Sequence, residues 1–202
     1  MKTVFFDVDT QLDFLFPAGA LYVPGAEDIV NTLGELTRFA AANEIQIIST
    51  ADAHIENDVE FQLWKPHCVA GTAGQQKAAN TLLSHSVVLG NVPGDLDAMR
   101  PRIRESSQIV LEKRAVDIFT NPNVGPLLEL VNADRYVVYG VVTEICVQCA
   151  AFGLLERGAR VELVSDASKA LSIGEGQNVL ARFEARGGIV TTAASAMKPP
   201  QL

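Results

Sequence analysis

Cysteine is scarce in this sequence, with three residues among 202. Three thiols cannot all pair with one another, so a scaffold built on disulfides is not expected. A reducing compartment is the default for such a chain, and we expect a cytoplasmic protein. Lys2 is followed by a short apolar run that Asp7 and Asp9 interrupt at once, which does not fit a signal peptide.

Long hydrophobic runs and an excess of basic residues are also missing. No stretch approaches the roughly 18 uninterrupted apolar residues that a membrane span requires. The chain has 16 Lys and Arg against 24 Asp and Glu, which gives a formal net charge of -8. Nucleic acid and anionic membranes need clustered basic side chains, so neither is an expected partner. The expected partner is a small molecule, either neutral or cationic.

What is present is the composition of an ordinary globular domain, with 48% apolar and 20% charged residues. We expect one domain over residues 1–202. Short runs rich in Val, Ile and Tyr alternate with helical patterns, and most runs are continuously apolar, as in strands buried on both faces. The pattern predicts an α/β fold, a three-layer α/β/α sandwich with a mostly parallel, Rossmann-like sheet. The predicted strands are Thr3 to Val8, Ile45 to Thr50, Ser86 to Gly90, Gln108 to Lys113, Tyr136 to Val142, Arg160 to Val164 and Gly188 to Thr191. The predicted helices are Ala26 to Ala42, Asp95 to Glu105, Pro122 to Val131, Glu144 to Arg157 and Gly174 to Arg186.

Three reactive side chains stand where predicted strands end. Asp9 follows VFFDV, Lys113 follows QIVLE, and Cys146 lies just past YVVYGVVTEI. The carboxyl ends of neighbouring strands converge on one crevice in a doubly wound sheet, so these residues could meet there as a nucleophile with two activators. A helix N-terminus and an ammonium beside the thiol would favour its thiolate. Taken singly, each has a plainer interpretation, as a small core cysteine, a lysine that reaches solvent and a capping aspartate.

The segment from Ala51 to Thr81 breaks the alternation, and a loop of that length in a compact domain is usually functional. It contains two of the three histidines of the chain. Asp52 and His54 are two residues apart just past a strand, so both would point to the same side. His67 and Glu60 could complete a set of nitrogen and oxygen ligands suited to zinc, iron or manganese. Solvated polar side chains of a loop are the alternative.

Two short motifs indicate other chemistry. The string DVDT at residues 7–10 matches the opening of haloacid dehalogenase-like phosphatases, and Lys113 could be the lysine of that family. The acidic pair that would hold magnesium is missing there, because Asp166 stands alone. Cys146 and Cys149 form a C-x-x-C, typical of thiol redox proteins, but such motifs normally follow the first strand of a smaller domain.

Several motifs in order resemble the isochorismatase-like cysteine hydrolases: DTQLDF, DAH, WKPHCVAGTAG, Lys113 after a strand, and GVVTEICV. The resemblance covers nearly the whole chain, and the metal-ligand set is similar to that of the nicotinamidase branch. It implies a parallel sheet flanked by helices and a frequent assembly into dimers or tetramers, so a homo-oligomer is expected. It also implies a cis peptide bond between Val142 and Thr143.

The resemblance assigns a role to residues that match the motifs. The implied catalytic triad is Asp9, Lys113 and Cys146. The implied ligands of one divalent transition metal are Asp52, His54, His67 and Glu60, the last in a position where members have either His or Glu. Phe14 and Trp64 would hold a flat ring, and the amides of Thr143 and Cys146 would form an oxyanion hole.

The implied reaction is hydrolysis of a small (hetero)aromatic amide, such as nicotinamide, to the acid and ammonia through an acyl-thioester. Two residues depart from the nicotinamidase pattern: Arg114 stands where Gly is usual, and Glu144 where Asp is frequent. Both leave the chemistry intact and the substrate open. The alternatives are a ureido or carbamoyl amidase, an isochorismatase, a phosphatase, or a binding protein without catalysis.

Overall fold

The strands of the molecule form one sheet in the computed structural model, which describes residues 1–198. They are β1 (Thr3–Val8), β2 (Gln46–Asp52), β3 (Ser86–Leu89), β4 (Gln108–Lys113), β5 (Arg135–Val141), β6 (Arg160–Lys169) and β7 (Ile189–Thr191). Their order in the sheet is β3-β4-β2-β1-β5-β6-β7, and every neighbouring pair is parallel. The predicted α/β fold with a parallel sheet is therefore confirmed.

Helices connect these strands, and some of them begin at a residue whose side chain caps the first turn. The α-helices are α1 (Leu12–Leu15), α2 (Val30–Ala42), α3 (Leu96–Glu105), α4 (Val124–Val131), α5 (Gln148–Glu156), α6 (Ile173–Ala185) and α7 (Ala193–Ala196). Asp95 accepts a hydrogen bond from the Ala98 amide at the start of α3, and Ser172 accepts one from Glu175 at the start of α6. Such caps satisfy amides that have no partner within the helix. No helix within residues 1–198 is long and apolar enough to cross a membrane.

Helices cover both faces of the sheet. Successive side chains of a strand point to opposite faces, so each strand contributes to both layers of packing. Val4 and Phe6 of β1 lie in a cluster with apolar residues of α3, α4, α5 and α6, whereas Phe5 lies in a second cluster with residues of α2 and α7. Burial of each large apolar side chain contributes about 1.5–3 kcal/mol. Two such clusters on one sheet make the three layers of the sandwich.

The strand order reverses direction at β1, which has β2 on one side and β5 on the other. Crevices at such points, outside the carboxyl ends of the strands, are where open α/β sheets bind ligands. Gly140 in β5 allows an unusually close approach at this point, because a Cβ there would lie 2.1 Å from the Val8 carbonyl oxygen. It also has a φ of 122°, which side chains other than glycine rarely adopt.

The predicted cis peptide bond was placed one residue too late. The structure has it between Val141 and Val142, not between Val142 and Thr143. β5 was predicted to end at Val142 and ends at Val141, so the strand gives way to the following turn one residue earlier than expected. The predicted helix from Glu144 also begins differently, with a π-turn over Thr143–Val147 before α5.

Candidate active site

Four neighbouring strands each bring one polar residue to the same edge of the sheet. Lys113 ends β4, Asp52 ends β2, Asp9 follows β1, and Cys146 lies in the turn after β5. The Lys113 ammonium nitrogen lies 3.0 Å from Asp9 Oδ2 and 3.5 Å from Cys146 Sγ. The three strand-end residues that the sequence singled out are therefore in mutual contact around one ammonium group.

Asp9 is held by an unusual backbone and by β2. Its φ is 51°, in the left-handed region that non-glycine residues seldom occupy. The Thr50 hydroxyl donates to Asp9 Oδ1 at 2.6 Å, and the Asp9 amide donates to the Thr50 carbonyl at 3.3 Å. Backbone strain of this kind is typical of functional sites, where the surroundings impose it.

Charges in this buried region are coupled through Lys113. Burial raises the pKa of Asp9, although the Lys113 ammonium opposes the effect. Burial alone would lower the pKa of Lys113, but Asp52 and Asp9 outweigh it and hold that pKa well above its usual range. Burial would likewise raise the pKa of Asp52, but Lys113 and the histidines lower it. Lys113 is therefore a permanent cation between two carboxyl groups.

The expectation of a favoured thiolate at Cys146 was wrong for the resting protein. Burial raises the pKa of the Cys146 thiol well above its usual range, and the opposing effect of Lys113 is smaller. Asp9 and Asp52 add negative potential that further disfavours the thiolate. The sequence argument counted the ammonium and the helix end but not desolvation. A thiol at this position needs a base to become a nucleophile.

The loop residues form a second group beside the first. Asp52, His54 and His67 are buried, and each offers a ligand atom within 4.8 Å of the others. Asp52 Oδ2 lies 3.7 Å from Nε2 of His54 and 3.6 Å from Nε2 of His67. Glu60 lies outside this group but lines the same cavity, and burial raises its pKa. Three of the four predicted ligands are therefore brought together.

This group fits a divalent transition metal. Two ligand atoms at about 2.1 Å from a tetrahedral ion lie about 3.4 Å apart, close to the separations found here. Within residues 1–198, neither ring nitrogen of the fully buried His54 has a hydrogen-bond partner, so Nε2, which faces Asp52, is free to bind an ion. His67 Nδ1 contacts the Lys65 carbonyl at 2.7 Å, which leaves Nε2 of that ring toward Asp52.

A cavity opens onto both groups. Its reactive lining includes Asp9, Cys146, Asp52 and His67, and its remaining lining is mostly apolar. The two predicted ring-binding residues, Phe14 and Trp64, both line it, together with Leu21, Tyr22, Val23, Val116, Val141, Val142, Ile145 and Leu171. No lysine or arginine is among the lining residues within the described part of the chain. A compact, uncharged and largely apolar ligand suits this lining.

Comparison with known proteins agrees with this geometry. The family model described as the isochorismatase domain matches residues 93–195, just over half of the chain, including Lys113 and Cys146. The chain belongs to the isochorismatase family.

Several known proteins are similar to this chain over most of its length. The nicotinamidase of Saccharomyces cerevisiae is 23% identical over 200 residues, 85% of this chain and 89% of that protein. The pyrazinamidase/nicotinamidase of Streptococcus mutans is 24% identical, with a TM-score of 0.78 over 94% of this chain and 100% of that one. The pyrazinamidase of Pyrococcus horikoshii, whose structure is a complex with zinc, is 25% identical, with a TM-score of 0.77 over 95% and 99%. The chain thus resembles nicotinamidases in fold and sequence.

Two residues that support the site received no role from the sequence. Gln11 accepts a hydrogen bond from the Asp52 amide at 2.7 Å and donates one to the Asp52 carbonyl at 2.8 Å. Asp13 accepts from the Cys68 amide at 2.7 Å, next to His67. Both belong to the DTQLDF motif, which was the only signal that could have found them. They attach Asp52 and the loop that carries His67 to the segment after β1.

Asp7, the alternative first aspartate, does not line the cavity. It is buried against Lys77, with 2.8 Å between Oδ2 and Nζ, and accepts from the Ser49 hydroxyl at 3.0 Å. A nucleophilic aspartate must be reachable by substrate, so this placement does not support the phosphatase interpretation. Cys149, the second cysteine of the C-x-x-C, is a free thiol on α5.

Proposed function

We propose that this protein is a metal-dependent cysteine amidohydrolase that cleaves a small (hetero)aromatic amide, such as nicotinamide, to the acid and ammonia. The observation that carries the proposal is the contact of one Lys113 ammonium with Asp9 at 3.0 Å and with Cys146 at 3.5 Å. A nucleophile beside a base and a cation is the arrangement that covalent catalysis of acyl transfer needs.

The first half of the reaction is acylation of Cys146. Asp9, whose pKa burial raises, takes the Cys146 proton, and Lys113 stabilises the thiolate that forms. The sulfur attacks the carbonyl carbon, a C–S bond forms, and the carbonyl electrons move to oxygen. The amides of Thr143 and Cys146 stabilise this oxyanion. The C–N bond then breaks as Asp9 returns the proton to nitrogen, which releases ammonia and leaves a thioester.

The second half is hydrolysis of the thioester. Asp9 takes a proton from water, the hydroxide adds to the thioester carbon, and the C–S bond breaks to release the acid. The proton on Asp9 returns to the Cys146 sulfur, which restores the starting state. Each half therefore uses the same carboxyl group as base and then as acid.

Asp52, His54 and His67 would hold the metal, and Glu60 lines the same cavity. When bound, a divalent zinc, iron or manganese ion supplies a Lewis acid for a ring nitrogen or a water molecule. Phe14 and Trp64 bind the faces of the ring, since both are aromatic and line the cavity.

The lack of basic residues in the lining favours an amide without a carboxylate on its body. An isochorismatase must bind a dicarboxylate, and three carboxyl groups, Asp9, Asp52 and Glu60, would repel one here. A carbamoyl amidase acting on a neutral substrate is the second candidate, because the same triad would serve it.

The test is ammonia release from a panel of amides with the purified, metal-supplemented protein. Nicotinamide and pyrazinamide should be cleaved, and a carboxylated carbamoyl compound should not. Cys146→Ala should lower the rate at least ~1,000-fold, because the nucleophile is removed. Retention of the rate in this variant would refute the covalent mechanism. Release of phosphate from phosphoesters, without ammonia from any amide, would favour the phosphatase alternative.

A further inference from the structure

The ring of His54 has a carboxylate on each side. Nε2 lies 3.7 Å from Asp52 Oδ2 in the metal group, and Nδ1 lies 3.3 Å from Oδ2 of Asp58. Nδ1 has no aligned hydrogen bond to any group in residues 1–198, so Asp58 is the acceptor that faces it. A histidine that binds a metal through one nitrogen usually donates its other N–H to a carboxylate or a carbonyl. His67 already has a carbonyl in that position, that of Lys65.

Asp58 is itself held from two directions. Its Oδ1 accepts from the Glu60 amide at 3.2 Å and so caps the 3-10 turn Val59–Gln62. Its Oδ2 accepts from Arg114 Nε at 2.8 Å. Arg114 directly follows Lys113, so this ion pair joins the end of β4 to the metal-binding loop. The Asp58 side chain is buried, whereas that of Arg114 is 41% exposed.

We propose that Asp58, held by Arg114, is a positioning residue for the metal site: it accepts the Nδ1 proton of His54 and leaves Nε2 as the ligand atom. This inference rests on the metal-binding part of the proposed function. Arg114 stands where the resembled nicotinamidases usually have Gly, so the ion pair belongs to this chain's own sequence. Without the guanidinium, Asp58 would lose the partner that orients its oxygen toward the ring.

The experiment is a measurement of zinc affinity in chelator-stripped protein, by competition with a chromophoric chelator. Asp58→Asn keeps an oxygen for the cap, because Asn is as good an N-cap as Asp, but removes the carboxylate from Nδ1. We expect its zinc dissociation constant to rise roughly 10- to 100-fold. Arg114→Ala should raise it by roughly tenfold or less, and Arg114→Lys should restore part of the loss. Asp95→Asn removes a carboxylate that caps α3 in the same way and does not line the cavity, so it should leave the affinity unchanged.

The visible absorption of the cobalt-substituted protein gives a second readout. A changed His54 ligand alters the bands in Asp58→Asn and Arg114→Ala, whereas loss of the cap alone does not. A folded Asp58→Asn variant with wild-type affinity, within about twofold, and a wild-type cobalt spectrum would overturn the inference. If Asp58→Asn does not fold, Arg114→Ala decides by the same criteria, since its exposed side chain contributes little packing. A wild-type protein that binds no zinc would overturn both this inference and the metal site. If the wild type binds zinc and the variants keep its zinc affinity and cobalt spectrum, this inference alone is overturned.

Discussion

Lys113 contacts Asp52 with 2.5 Å between Nζ and Oδ1, and this contact joins the proposed catalytic triad to the candidate metal ligands Asp52, His54 and His67. The two residues are register partners in the pairing of β4 with β2, so the sheet itself places them side by side. The other oxygen of Asp52 faces both histidines. A change in the charge of Asp52 and the two histidines therefore changes the electrostatic potential at Lys113. Through Lys113, it also changes the potential at Asp9 and Cys146.

Lys113→Met tests how far the site depends on this ammonium. The change leaves Asp9 and Asp52 buried without their shared cation, so we expect a loss of about 3–5 kcal/mol in the free energy of unfolding. The rate of amide cleavage per folded molecule should fall at least ~1,000-fold. Urea denaturation in the presence of a chelator measures the first effect, and ammonia release measures the second.

Lys77→Met is the matched control, because Lys77 is also buried in an ion pair, with Asp7 at 2.8 Å. It should lose a similar amount of stability, about 3–5 kcal/mol, and retain most of its activity per folded molecule. A Lys113→Met protein as stable as the wild type would show that the buried ammonium is not needed to hold the two carboxylates.

Metal removal should lower stability as well as activity. Asp52, His54 and His67 come from a strand end and a long loop, so an ion bound to all three ties the loop to the sheet. At a free zinc concentration about 100 times the dissociation constant, binding adds about 2.7 kcal/mol of stability. Thermal unfolding should shift upward with zinc in the wild type, and the shift should be much smaller in His54→Ala. A wild-type melting temperature that stays unchanged on addition of either zinc or chelator would contradict the metal site.

Local pattern was enough to predict the strands and the three residues at their ends. The predicted bounds of β4 match those observed, because its apolar centre, IVL, is flanked by the polar residues Gln108, Glu112 and Lys113. The topology of a parallel sheet suggested that Asp9, Lys113 and Cys146 converge, and the motif resemblance assigned them together as a triad. What pattern could not give was the pair of Asp58 and Arg114, which are 56 residues apart and meet only through the fold. The raised pKa of the Cys146 thiol could not be predicted from the sequence either, because it depends on burial in the fold rather than on neighbours in sequence.

The buried ion pair of Arg135 and Glu162 predicts how stability depends on pH. Arg135 donates two hydrogen bonds to Glu162, at 2.8 and 2.6 Å, far from the sheet edge that carries the site. Burial alone would raise the pKa of Glu162, but Arg135 and Arg160 outweigh it and lower that pKa. A carboxyl group with a lowered pKa in the folded state stabilises the protein above its unfolded pKa, and the contribution is lost as pH falls through the folded value.

We therefore expect the urea midpoint to fall as pH drops below about 4.5, the ordinary pKa of a glutamate. Glu162→Gln should lower the free energy of unfolding by about 3 kcal/mol at neutral pH. The urea midpoint of this variant should also fall less steeply as the pH drops below about 4.5. Asp97→Asn breaks an exposed pair with Arg100 and should leave both the midpoint and the slope nearly unchanged. Equal acid slopes in Glu162→Gln and the wild type would mean that this pair does not govern the profile.

Gly140→Ala tests whether the close approach of β5 to β1 aligns the nucleophile with its base. The added Cβ would lie 2.1 Å from the Val8 carbonyl oxygen, on the residue just before Asp9, so the strands must move apart. Because Cys146 follows β5 and Asp9 follows β1, their separation should grow, and even a 1 Å misplacement can cost about 100-fold in rate.

Gly158→Ala is the control, since Gly158 also has a positive φ, 82°, but no atom within 4 Å of its added Cβ. It should lose about 1–2 kcal/mol of stability from backbone strain and keep its activity. If both variants lose stability alone, with the same rate of ammonia release per folded molecule, the spacing of β1 and β5 does not control the reaction.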